Sequence, residues 1–381
     1  MSKISQITIG GFRRLRAIEL PIKPFNVLIG ANGVGKTSLL DAFSLLCASA
    51  SGMLNNTLLD LGGIVNILTR GKTEEISFVA QMEISGRKPL KYDLHFSPKG
   101  TGYSISKEIL SQERDGFDDP FKHIFSIKED THYYDPQEGL VRPSWKYDSL
   151  ETFLSQIPKM FSQPEEFRHI LSKSTYYHEL NVGRQAPIKL PQQMRPTTSP
   201  GADGKDIIPY LYYLRETDSG RFDEIVDTLH AAFPSFERLS FPPVAAGVLT
   251  MTWKDRNFTD PIYIHELSEG MLRFLWLVSL LQSPAPSTIT MIDEPEVSLH
   301  PELLSLLAGL MREASQRTQL IVATHSDRFI RFLKPEEVVV MDIEDDGCAV
   351  ATWATEFDLD KWLDEYSLDE VWQMGQMGGR S

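Results

Sequence analysis

The chain of 381 residues has only two cysteines, Cys47 and Cys348, and neither has a second cysteine three residues away. A disulfide framework and a CxxC-type zinc site are therefore not expected, and a reducing compartment fits. Positive charge is scarce: 38 Lys and Arg stand against 52 Asp and Glu, a net charge of −14. A protein that coats nucleic acid with its whole surface is usually basic, because neutralising phosphates supplies much of the affinity. An acidic chain still binds DNA through a local groove or a partner, so DNA stays a possible partner. Long apolar runs are missing too. The start, MSKISQITIG, has no apolar core of signal-peptide length. The most apolar helical stretch, Met271 to Leu281, falls well short of the ~20 residues that span a bilayer. Sustained heptads are absent, which argues against a long coiled-coil arm. The expectation is a soluble, cytoplasmic protein with no membrane partner.

What is present is an ordinary globular balance of 41% apolar and 24% charged residues. Phe25 to Ile29 (FNVLI) is a short apolar run ending at Gly30, as a buried strand would, and Thr37 to Ser49 reads as a helix. Lys3 to Ile9 and Glu75 to Ile84 alternate like strands, and Leu90 to Phe96 can pair with the second as a hairpin. From about Gly100 to Asp260 the patterns weaken. Four prolines mark a loop at 187–204, and helices are expected at Asp206 to Glu216 and Arg221 to Ala232. After Leu267 strand and helix alternate again: a helix at Gly270 to Gln282, a strand at Thr288 to Ile292, a helix at Glu302 to Ser315, and strands at Leu320 to Ala323 and Val338 to Met341. That alternation implies a mostly parallel sheet covered by helices. The expected fold class is α/β, with a mixed sheet and an inserted, mostly helical or irregular subdomain. The expected divisions are 1–98, an insertion over 99–260 and 261–381.

The segment between the first apolar run and its helix reads Gly30, Ala31, Asn32, Gly33, Val34, Gly35, Lys36, Thr37, followed by Ser38. It matches the phosphate-binding spacing GxxxxGK[ST]. Glycines let the backbone turn tightly with N–H groups pointing at phosphate oxygens, and the opening helix aims its positive end at the same anion. Lys36 is expected on the β- and γ-phosphates and the Thr37 hydroxyl on Mg²⁺. The strand Thr288 to Ile292 runs into Asp293, Glu294 and Pro295, the pattern of a Walker B element. Asp293 is expected to hold Mg²⁺ and Glu294 to act as general base on the attacking water. Leu267-Ser268-Glu269-Gly270-Met271 stands at a helix start, where Ser268 is a good N-cap and Gly270 leaves a backbone N–H approachable. His325 follows the apolar run Ile321 to Ala323.

In order, GFRRLR (11–16), GANGVGKTSLLDAF (30–43), LSEGMLRFLWL (267–277), MIDEPEVSLHPELL (291–304) and VATHSDRFI (322–330) resemble the RecF/SMC-like branch of ATP-binding-cassette ATPases. Within it they resemble the bacterial AAA-family ATPases related to OLD nucleases and to antiphage and toxin–antitoxin ATPases. The resemblance implies a P-loop ATPase that binds ATP and Mg²⁺. It implies that Ser268 and Gly270 contact the γ-phosphate of ATP held by a second copy, in a homodimer closed by an ATP sandwich. His325 would be the switch histidine, and Arg13 would lie near the nucleotide. An effector protein, a nuclease or toxin, is the implied partner, in genome maintenance or antiphage defence. Alternatives are a nucleotide-sensing scaffold with little turnover and a RecF-like DNA-binding repair ATPase. Three departures stand out. Glu269 and Met271 replace Gly and Gln of the LSGGQ signature. No lid glutamine is identifiable, Gln81 lying inside an expected strand. The 35 residues after Asp346 (381 − 346) are too few for a Toprim nuclease domain, and Asp346-Gly347 reads as a hairpin turn.

Overall fold

The computed structural model describes residues 2–128 and 130–378. The chain forms two compact units, residues 1–175 with 334–381, and residues 176–333. These divisions differ from those expected at 98/99 and 260/261, because residue 98 lies inside a continuous strand.

In the first unit an eight-stranded antiparallel sheet is built from β1 (Lys3–Phe12), β2 (Leu15–Pro21), β4 (Ile76–Ile84), β5 (Arg87–Lys99), β6 (Gly102–Gln112), β7 (Phe121–Ile127), β8 (Asp130–Asp135) and β9 (Gly139–Val141). Its order is β2-β1-β4-β5-β6-β7-β8-β9. β4 buries every second residue from Ile76 to Ile84, the pattern of a half-buried strand, and its hairpin partner β5 sets Phe78 opposite Leu94 and Ala80 opposite Tyr92. β3 (Phe25–Ile29) belongs to a separate sheet and is buried along its whole length, as a strand covered on both faces must be. It pairs in parallel with Val338–Ile343, and that strand pairs antiparallel with Ala349–Trp353 through the hairpin expected at Asp346-Gly347. Parallel and antiparallel pairs thus make a mixed sheet. The helix Lys36–Ala50 follows β3 directly and buries Leu39, Leu40, Phe43, Leu46 and Cys47.

Within the expected insertion, β6 to β9 extend the sheet over residues 102–141, and the remainder is largely helical or irregular apart from short strands. The alternation of β6 is interrupted at Ser104–Lys107, all half-exposed, and the next buried position is Glu108. A carboxylate in the buried register hides a strand from any count of apolar residues. Glu108 is there for its lone pairs. It accepts from Phe153 N and Leu154 N at 2.7 Å each and from Tyr92 Oη at 3.0 Å, capping the short helix Phe153–Gln156. We expect Glu108→Ala to lower stability by about 2–4 kcal/mol, because two helix N–H groups and a phenol lose a buried acceptor. Urea unfolding measures this. Burial pushes the Glu108 carboxyl up to about 7. The native state therefore binds more protons than the unfolded chain between the ordinary carboxylate range and about 7, and this contribution to stability declines as pH rises through that window.

The second unit holds the parallel pair Ile289–Asp293 and Gln319–Ala323, in register from Ile289 opposite Gln319 to Asp293 opposite Ala323. Tyr176 and Tyr177, which end the short strand Thr175–Tyr177, flank Ile289–Asp293. The helix Leu303–Ala314 buries Leu303, Leu304, Leu307, Ala308 and Met311, one stripe at helical spacing. Helices Ile207–Thr217 and Ser219–Ala232 stand where expected, and residues 236–263 add short antiparallel strands. Among the described residues no helix is long and apolar enough to cross a membrane.

Candidate nucleotide-binding and hydrolytic residues

In the first unit, the loop from Gly30 to Gly35 joins a fully buried strand to a 15-residue helix. Three of its residues need positive φ: Gly30 (149°), Gly33 (81°) and Gly35 (115°). A Cβ on Gly30 would stand 2.4 Å from the Met341 carbonyl, so no other residue fits. A Cβ on Gly33 would meet nothing within 4 Å, which leaves open space above the loop. Gly35 is the N-cap and offers no side chain to the first helical N–H groups, which suits a helix end that receives an anion. Lys36 is buried, and its ammonium donates to the carbonyls of Gly30 at 2.7 Å and Ala31 at 2.9 Å. The loop thus holds its own cation over the hollow. Thr37 is exposed, Ser38 half-exposed, Asn32 exposed and Val34 buried. Hydroxyl and carboxylate oxygens are hard donors, so Thr37 and an aspartate are the right chemistry for Mg²⁺.

Arg13, at φ 50°, donates through Nη1 to Asp41 Oδ2 at 2.5 Å. Asp41 lies one turn beyond Thr37 on the same helix. The structure therefore ties Arg13 to the helix that opens the phosphate loop, with its guanidinium one-third exposed.

In the second unit the Walker B residues stand at the end of Ile289–Asp293. Glu294 has φ 47°, a left-handed conformation that costs a non-glycine residue about 1–3 kcal/mol and persists only where the surroundings impose it. Its backbone N–H donates to the Ala323 carbonyl at 2.8 Å. Its Oε1 accepts from His325 Nδ1 at 2.7 Å, so the expected base and the expected switch histidine are in contact. Tyr176 Oη donates to Asp293 Oδ2 at 3.3 Å. Glu296 is buried. Its Oε1 accepts from the Thr324 hydroxyl while Oε2 has no hydrogen-bond partner among the described residues, and burial raises its carboxyl.

The signature segment caps the helix Glu269–Leu281. Ser268 Oγ accepts from Met271 N at 3.3 Å. A Cβ on Gly270 would stand 2.6 Å from the Ser298 carbonyl, so Gly270 is required by the close approach of the segment after the Walker B residues. Glu269, where the LSGGQ signature has glycine, accepts from Ser298 Oγ at 2.7 Å and from Arg273 Nε at 3.1 Å. The Ser298 bond and the Arg273 cation hold its carboxyl below the usual range. Tyr176, Glu179, Arg273 and Glu296 escaped sequence reasoning. Tyr176 precedes its partner by 117 residues. Only Glu296 carried a local signal, an acid three residues past Asp293 beside a proline.

The phosphate-loop spacing of residues 30–37 and the strand end at Asp293-Glu294 are the pattern expected of a P-loop ATPase. The family profile described as "AAA domain, putative AbiEii toxin, Type IV TA system" matches residues 25–331, and the chain belongs to that family. The fold is similar to that of an Smc head bound to the C-winged helix domain of ScpA, with a TM-score of 0.60 and 14% identity over 92% of this chain and 97% of that one. It is also similar to the Pyrococcus furiosus Smc head with an extended coiled coil, bound to the C-terminal domain of ScpA, with a TM-score of 0.53 and 11% identity over 98% of each chain. No curated protein matches the chain.

Proposed function

We propose that the chain is a Mg²⁺-dependent ATPase whose two copies close on two ATP molecules, each held between one phosphate loop and the Ser268–Gly270 segment of the other copy. The observation that carries this reading is the Glu294–His325 contact at 2.7 Å, with Glu294 held in a strained backbone conformation at a strand end. In this reading Lys36 and the N–H groups of residues 31–37 bind the phosphates, and Thr37 and Asp293 hold the metal. Mg²⁺, when bound, offsets the negative charge that the phosphate oxygens present. Glu294 accepts a proton from the attacking water, and His325 keeps that carboxylate aimed. Arg13 steadies the helix behind the loop.

Closure of the pair would be the signal and hydrolysis would end it. The family's description, with its toxin–antitoxin system, supports an effector partner of nuclease or toxin type and a role in antiphage defence or genome maintenance. The Smc heads named above are bound to ScpA domains, which supports a protein partner rather than an isolated enzyme. DNA would be reached through such a partner or a local groove, given the net charge of −14.

Ser268→Arg tests the two-copy arrangement. A bulky cation at that helix start leaves the phosphate loop of its own chain intact. We expect nucleotide affinity to stay within about two-fold and turnover to fall by at least about 100-fold. Unchanged turnover would remove Ser268 from the site.

A further inference from the structure

Four side-chain bonds in the second unit form a closed circuit that the hydrolytic reading does not use. Tyr176 Oη donates to Asp293 Oδ2. Three residues on, Glu179 Oε1 accepts from Arg273 Nη2 at 2.7 Å. Arg273 Nε donates to Glu269 Oε1 at 3.1 Å, and that same oxygen accepts from Ser298 Oγ at 2.7 Å. Ser298 lies five residues after Asp293, and the circuit is complete. It joins the end of the Walker B strand to the first turn of the signature helix by two routes, one through residues 176–179 and one through residues 294–298.

Arg273 is the junction. Its side chain is only 8% exposed, and both of its partners are carboxylates. A largely buried guanidinium is stable only when paired, and its planar fork serves two acceptors at fixed angles, which an ammonium does not. The second route is under tension. Glu294 and Ser298 are both non-glycine residues in the left-handed region, at φ 47° and 62°, and the Ser298 carbonyl comes too near Gly270 to admit a Cβ there. A strained segment held by side-chain bonds has a second arrangement available when those bonds change.

We propose that Arg273, through Glu179 and Glu269, is a positioning residue that couples the Asp293–Glu294 strand end to the Ser268 helix start, so that nucleotide bound by one face of a chain sets the readiness of the face it offers its partner. This rests on the reading of Gly30–Thr37 and Asp293 as the nucleotide site and of Ser268 as the contact to the second copy.

Hydrogen exchange of residues 269–275 tests it, with and without Mg²⁺ and a non-hydrolysable ATP analogue, in the full chain and in Glu179→Gln and Arg273→Lys. Glu179 is 60% exposed, so Glu179→Gln leaves the fold and its melting temperature unchanged. A fluorescent ATP analogue measures affinity in parallel. We expect nucleotide to slow exchange about ten-fold in the unaltered chain and less than about two-fold in either variant, with affinity unchanged. A full response in Glu179→Gln overturns the coupling, as does no response in the unaltered chain when it has bound nucleotide. Absence of nucleotide binding by the unaltered chain would instead overturn the functional reading, and the coupling with it.

Discussion

Lys36→Ala will abolish measurable ATP binding. The ammonium is the only side-chain cation that the loop itself holds, bonded to the Gly30 and Ala31 carbonyls at 2.7 and 2.9 Å. Its position therefore does not depend on a ligand to order it. Charge-assisted bonds to phosphate are among the strongest a protein makes, and here they form on a buried base, where water competes poorly. Removing the ammonium leaves the loop carbonyls facing an anion with nothing between. We expect affinity to fall by at least about 1,000-fold, the loss of two or more charged hydrogen bonds. Titration with a fluorescent ATP analogue checks this outcome, and normal affinity would remove the loop from the site.

Glu294→Gln separates binding from hydrolysis. The amide keeps the shape and can still meet His325, but it no longer accepts a proton. General-base assistance is worth about 100- to 10,000-fold, so turnover should fall by that range while nucleotide affinity holds. The φ of 47° does not change with the side-chain end group, so the strand end should remain as it is. If hydrolysis opens the pair, this variant should stay closed once loaded with ATP. It is also the form in which a protein partner that reads the closed pair should be captured.

The two ends of the chain were readable because their chemistry dictates spacing. A phosphate hollow needs glycines where φ is positive, and Gly30, Gly33 and Gly35 stand at those positions. Strands covered on both faces need mostly apolar runs, and FNVLI, ITMI and LIVA supply them, with Asn26 and Thr290 the polar exceptions. The strands over 102–141 were not readable, because Glu108 occupies a core position for the sake of capping Phe153 and Leu154. Periodicity counts apolar residues and cannot see a partner 45 residues away. Glu269 is instructive in the same way. In the sequence it is a departure from the glycine of the signature. In the structure it accepts from Ser298 and Arg273 and so ties the motif to the Walker B side. Arg273 is the one charged residue in LRFLWLVSLL, a mostly apolar stretch of helix, and its two carboxylates account for its burial.

In the proposed arrangement one chain carries halves of two different sites, and ATP joins two copies. Sedimentation of Glu294→Gln with Mg²⁺ and ATP, and again without nucleotide, addresses it most directly. We expect a single chain without nucleotide, a pair of chains with ATP, and loss of the pair when Ser268→Arg is added to the same variant. A single chain at saturating ATP, with binding confirmed in the same sample, would contradict it.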